Sequence, residues 1–410
     1  MIAILTLVAW AEPAPDSGVT VEESTSRWIG WSKKTKPRSR AHGGDFDHPP
    51  VLEWQARLPG PTLNSASHTE RARPVFHGDE ILIGGAAGGG LYRLDRGDGA
   101  VRGVFEAHAS VESEALVVDD RVYFADTSGT TWCYGLDGEL VWENRGNAPI
   151  LTQPTLANGV VYITNVDDLV IALDSKSGEQ IWRHKAKRDL TRVAELALYA
   201  APGAVVDSGE VIVGFSSGAL VALDALDGTL TWSLNVGEGR YPDLVAAPTV
   251  AGSDLFVSGY FKPLLAVDRE SHSVRWRAEA GAAYPVLVDD GTVYHPGTDG
   301  VLRAFSVLTG AEKWAWSSGT TAALTEPQIT TAGLVIAASG GSIYLIDPDT
   351  GKLKWMWNEP ELLEGVTATP AIDGRQLVFL SNSGILYSLV VPHESGRDRP
   401  SNRTLFRGEP

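Results

Sequence analysis

The sequence predicts an all-β fold: an eight-bladed β-propeller, closed by pairing an N-terminal strand with the last blade. Three observations predict it. An Asp-x3-Gly-x3-Trp motif recurs along the chain, its aromatic anchors follow one another at separations of 37 to 51 residues, and the two ends carry complementary parts of one four-stranded unit. A repeat of roughly 40–50 residues built from four strands is the period of a propeller blade.

The motif is complete at Asp174-Gly178-Trp182, Asp224-Gly228-Trp232 and Asp347-Gly351-Trp355. Degenerate copies keep the register at Asp268-His272-Trp276 and Ser306-Gly310-Trp314, and a shortened copy keeps Gly138 and Trp142 beside Asp137. Asp95-Gly99 lacks the Trp and offers Phe105, while Trp54 stands alone in the strand-like stretch Val51 to Leu58. Asp accepts hydrogen bonds from turn amides and Gly takes the left-handed position. The Trp, three residues on, buries a large apolar face between neighbouring blades. These Trp and Gly residues are therefore read as structural.

Within a unit, the residues from Pro327 read as strands at Gln328–Thr330, Leu334–Ala338, Ser342–Ile346 and Lys352–Trp357, with a tight hairpin at Gly340-Gly341. A proline opens each blade at Pro74, Pro154, Pro202, Pro248, Pro285, Pro327 and Pro370, with Ala115 in the remaining slot. After Trp355 come three strands, near Ala368–Ile372, Gln376–Leu380 and Ile385–Leu389, and Val51–Leu58 supplies the missing fourth. Closing the ring this way removes the exposed sheet edges. The domain reading is a possible signal peptide over 1–11, ending Ala9-Trp10-Ala11 but without a positive n-region. A polar, partly basic extension follows over 12–50, then the propeller over 51–391 and a disordered tail over 392–410. Six basic residues and no acid lie between Arg27 and Arg40. That stretch is either a solvated linker or a contact for anionic lipid or an acidic partner.

Composition narrows the function. A net charge of −17 argues against nucleic-acid binding, and no apolar run of 18 residues is present to span a bilayer as a helix. The single cysteine, Cys133, excludes an intramolecular disulfide and reads as a small buried hydrophobe. The Gly84–Gly90 run lacks a following Lys-Ser/Thr and a helix, so it reads as a hairpin rather than a phosphate cradle. His42, Asp45, Asp47 and His48 match no known metal-site spacing. His272 and His295 are isolated, and the acidic pairs Asp119-Asp120, Asp167-Asp168 and Asp289-Asp290 fall in turns. No catalytic residue, metal or cofactor is assigned.

One rim carries the best candidate surface. The 50 residues between Trp182 and Trp232 exceed an ordinary blade, and Lys187 to Tyr199 absorbs the excess. Connections from a fourth strand to the next first strand all emerge at one end, so Lys187–Tyr199 and Gly237–Val245 are neighbours. Leu190, Val193, Leu196, Leu198 and Tyr199 place apolar side chains in this loop; they either fold back on the propeller or are covered by a partner.

The stretch Ile346-Asp347-Pro348-Asp349-Thr350-Gly351-Lys352-Leu353-Lys354-Trp355 resembles the repeat of the PQQ-type propellers. Ala200-Ala201-Pro202 and Tyr241-Pro242-Asp243-Leu244-Val245-Ala246-Ala247-Pro248 are similar to the corresponding loops of the outer-membrane assembly factor BamB family. That resemblance implies a non-enzymatic envelope scaffold, a monomeric propeller, with a BamA-like, POTRA-containing protein as partner. Leu196 and Asp243 keep the family's residue types, whereas Ala197 and Val245 replace an expected Arg and a second acid. Tyr199, Arg192 and Arg240 complete the predicted contact. The implied location is periplasmic or outer-membrane associated, although no cysteine follows the apolar start to carry a lipid. The quinoprotein dehydrogenases share the repeat and imply the alternative, a PQQ-dependent oxidoreductase; their adjacent cysteine pair is missing here. A ligand-sensing propeller is the third reading.

Overall fold

The computed structural model describes residues 46–60, 69–186, 202–236, 243–261, 263–358 and 365–392. The predicted signal peptide, most of the basic extension and the tail from 393 lie outside the described residues. Eight four-stranded antiparallel sheets are present and no helix is found among the described residues. In seven blades the strands follow chain order from the inside of the ring outwards. The eighth is composite: Ala371–Asp373, Gln376–Leu380 and Ile385–Val390 are covered on the outside by Val51–Arg57. The closure read from the sequence is therefore the closure found.

The blade that begins at Pro327 shows how closely sequence and strands correspond. Its strands are Gln328–Ile329, Leu334–Ala337, Ser342–Ile346 and Leu353–Asn358. The hairpin at Gly340-Gly341 closes through the Gly341 amide on the Ala338 carbonyl at 2.8 Å, with Gly341 at φ +97°. The prolines differ slightly from expectation. They stand one to three residues ahead of the inner strand, not within it, as Pro202 before Val205 and Pro285 before Leu287 show. Proline has no amide to donate to the ladder, so it is placed just outside it.

The motif is an inter-blade lock. The Trp of one blade's outer strand lies on the motif glycine of the next: Trp54 on Gly99, Trp142 on Gly178, Trp182 on Gly228, Trp276 on Gly310 and Trp314 on Gly351. A Cβ on any of these glycines would fall 2.5–2.6 Å from the indole. The same indoles donate Nε1–H to the carbonyl one residue after the motif Asp or Ser, at Arg96, Ser175, Ala225, Val307 and Pro348, over 2.8–3.1 Å. Meanwhile the Asp caps its own turn, as Asp174 Oδ1 accepts from the Lys176 and Ser177 amides at 2.9 and 2.8 Å. One turn thus provides the flat seat, the hydrogen-bond acceptor and its own rigidity.

Three departures follow from the same geometry. His272 fills one glycine slot at φ +54° and stacks on Trp232 with centroids 4.4 Å apart; that indole turns to Glu210 Oε2 at 3.1 Å instead. In the first blade the anchor slot, eight residues after Asp95, holds Gly103, so Phe105 sits two positions beyond it. Phe105 joins a cluster with Phe124, Trp132 and Tyr134 in place of a Trp–Gly lock. The composite blade has no turn between its third and fourth strands, since these come from opposite parts of the chain. Trp355 therefore donates to the Phe46 carbonyl at 2.7 Å, and Phe46 is fully buried between the last two blades. The end of the extension is consequently part of the propeller packing, where the sequence suggested a linker.

Candidate functional site at the funnel end

Alternating strand direction sorts the connections by end. Outer-to-inner connections between blades and second-to-third turns within blades meet at one end of the ring, where the eight inner strands open into a central cavity of about 430 Å³. The residue two positions before each inner strand lines this funnel: Arg73, Glu114, Gln153, Gly203, Ala247, Pro285, Glu326 and Thr369. Read around the ring, five adjacent blades contribute Glu326, Thr369, Arg73, Glu114 and Gln153. The other three contribute Gly203, Ala247 and Pro285. One side of the funnel is polar and the other is small and apolar.

The polar side is tied together across the axis. Arg73 reaches past the composite blade, donating Nη2–H to Gln328 Oε1 at 2.7 Å and pairing with Glu326 at 3.7 Å. Arg71 pairs with Glu112 at 3.8 Å. The Tyr284 hydroxyl donates to the Thr367 carbonyl, and burial pushes that phenol up to about 12. Burial also pushes the Glu114 carboxyl up to about 7, with Arg73 pulling it down and Glu326 adding to the rise. Sequence reading missed this set. Its signal was the column two positions before each inner strand, next to or at the opening Pro or Ala, which is polar in five adjacent blades and small or apolar in the other three.

Of the predicted partner-contact residues, Leu196, Tyr199, Arg192 and Arg240 lie outside the described residues. The described strands on either side of them, Gln180–Lys185 and Val205–Asp207, and Leu230–Asn235 and Thr249–Ala251, have their facing ends at the funnel end. Asp243 is described and departs from the surface position expected for it, being only 2% exposed. The reason is its neighbour. Leu244 is buried against Ile212, Leu220 and Val257 and bridges to Gly259, which draws the backbone of Asp243 onto the propeller. An aromatic that sequence reading did not single out, Phe261, stands at the same end, 61% exposed and edge-on to Tyr260 at 4.7 Å.

The remaining candidates are structural. Cys133 is fully buried and its thiol is pushed up to about 11 by burial. His295 is fully buried, and loss of solvent pushes it down to about 4. Asp119, Asp168 and Asp290 hold left-handed turn positions at φ +54°, +54° and +42°. Gly84–Gly90 leads into a strand as expected. No group of three metal-ligating side chains gathers among the described residues, and no helix there is long and apolar enough to cross a membrane.

Comparison with known proteins gives one consistent neighbourhood. A family model described as outer membrane protein assembly factor BamB matches residues 87–315 and 242–404. The outer membrane protein assembly factor BamB of Burkholderia pseudomallei is 25% identical over 324 residues, 77% of this chain and 82% of that protein. The crystal structure of BamB from Moraxella catarrhalis superposes with a TM-score of 0.70 at 17% identity, covering 83% of this chain and all of that one. A quinohemoprotein alcohol dehydrogenase from Pseudomonas putida HK5 superposes at 0.65 with 13% identity, covering 86% of this chain and 78% of the enzyme. At such identities the two superpositions speak for the fold.

Proposed function

The chain belongs to the family of the outer membrane protein assembly factor BamB, and we propose that it is a non-enzymatic scaffold of the cell envelope that supports assembly of outer-membrane β-barrels. Its partner would be a BamA-like protein with POTRA domains, met at the periplasmic side of the outer membrane. The observation that carries this reading is the family match across 87–404, which spans most of the ring. The fold supports a docking role at one end. The connection between Lys185 and Val205 is the longest from an outer strand to the next inner strand, and exposed Phe261 stands at the same end. The motif side chains that repeat most regularly are spent on inter-blade locks and their turns.

The funnel's chemistry disfavours the oxidoreductase reading. A quinone carrying several carboxylates needs uncommitted cations, but Arg71 and Arg73 each already face a carboxylate, and Glu114 adds a further acid.

The contact is tested by measuring affinity of purified protein for the POTRA segment of its own organism's barrel-assembly receptor. Leu196→Ala is expected to weaken binding by about tenfold or more, as for an interface anchor, with the melting temperature unchanged. Asp243→Arg is expected to lower the melting temperature, because an unpaired charge would be forced into a buried site. Unchanged affinity for Leu196→Ala, or a parallel loss of its stability, would overturn the proposed contact.

A further inference from the structure

We propose that the funnel is a binding site for a small organic cation: a ligand whose positive group is met by Glu114 and whose apolar body rests on the wall made by Gly203, Ala247 and Pro285. This goes beyond the scaffold role and does not depend on it. Around the polar side each arginine already faces an acceptor, Arg71 at Glu112 over 3.8 Å and Arg73 at Glu326 over 3.7 Å and at Gln328 over 2.7 Å. Glu114 is left over. Among the described residues it makes no hydrogen bond and no ion pair within 4 Å, yet it lines the cavity and is largely withdrawn from solvent. Among the described residues that line the cavity the charged groups are Arg71, Arg73, Glu114 and Glu326, and Glu114 is the one that makes no hydrogen bond or ion pair.

Shape supplies the rest. A volume of about 430 Å³ lies within the range that small-molecule sites occupy. The glycine, alanine and proline opposite leave room that larger side chains would fill, and Tyr260 and Tyr284 add ring surface at that side. An aromatic-lined, small-residue wall facing a carboxylate without a contact partner suits a cation with an apolar body. An anion would meet Glu114 and Glu326, and the cations that line the cavity among the described residues, Arg71 and Arg73, are already engaged.

Burial holds the Glu114 carboxyl at about 7, with Arg73 opposing and Glu326 reinforcing; Arg71, Tyr260 and Tyr284 are the other titratable groups that line the cavity among the described residues. A permanent cation should therefore bind when this acid is ionised and lose its counter-charge when it is protonated.

The test is calorimetric titration of the full chain with benzyltrimethylammonium, with benzoate and benzyl alcohol as anionic and neutral probes of similar size. The expected result is saturable binding of the cation at pH 8.5, at least tenfold weaker at pH 5.5, and little or no binding of benzoate. In Glu114→Gln the cation should bind at least tenfold more weakly at pH 8.5 and lose its pH dependence. Ala247→Leu, which fills the apolar wall, should weaken binding while keeping that dependence. Equal melting temperatures of Glu114→Gln and the parent at pH 5.5, where the parent's acid is also neutral, confirm that the variant is folded. Absence of cation binding, preference for benzoate, or an affinity unmoved by Glu114→Gln would overturn the proposal.

Discussion

At the scale of single residues, the molecule's regularity rests on the seat that each motif glycine offers a tryptophan. Gly351 is at φ +69° and a Cβ there would lie 2.5 Å from Trp314, so both conformation and space demand glycine. Gly209 is at φ +84° but has nothing within 4 Å of a built Cβ, so only conformation demands it. Gly209→Ala is therefore expected to cost about 1 kcal/mol, the ordinary strain of a left-handed alanine. Gly351→Ala is expected to cost roughly 3 kcal/mol, since it must also displace the indole. Denaturant unfolding of the two variants checks the difference; equal losses would mean the indole contact contributes nothing. These glycines and tryptophans were legible in the sequence because their spacing repeats. Phe105 was not placed correctly, since a one-blade substitution of the lock by an aromatic cluster leaves no periodic trace.

At the scale of elements, the composite blade shows what closure requires. Pairing Val51–Arg57 with Ile385–Val390 completes the sheet, but it leaves Trp355 without the turn carbonyl that Trp54, Trp142, Trp182, Trp276 and Trp314 use. Phe46 supplies the carbonyl and fills the gap with a fully buried ring. Phe46→Ala is expected to destabilise the protein by roughly 3–4 kcal/mol, the range for a buried phenylalanine. Its effect should be local to the last two blades, read as reduced amide-exchange protection in Leu353–Asn358. Uniform loss of protection around the ring, or none, would contradict that role. The strands themselves were readable because alternating apolar residues and Gly-rich turns mark them. Phe46 was not, because it lies outside the repeat and its contact joins residues 309 positions apart. Asp243 illustrates the same limit: its residue type was visible, but the burial imposed by Leu244 depends on packing against a neighbouring blade.

At the scale of the whole molecule, the ring gathers eight equivalent connections at one end and thereby makes a funnel and a rim that no single repeat contains. The architecture was legible because the period, the locks and the split blade agree on the same count. The funnel's division into a charged and a small-residue half was not, since adjacency around the ring emerges only when one column of the repeat is followed through all eight blades. Under the proposed function the funnel end is the working face. The most direct test of this places a photoreactive amino acid at one site at a time in living cells: Leu196, the proposed contact; Phe261, exposed on the funnel end; and Leu226, 84% exposed in a turn at the opposite end. Adducts with a POTRA-containing protein from positions 196 and 261 but not 226 are predicted. Adducts from 226 alone, or from none of the three, would contradict the assignment of the working face.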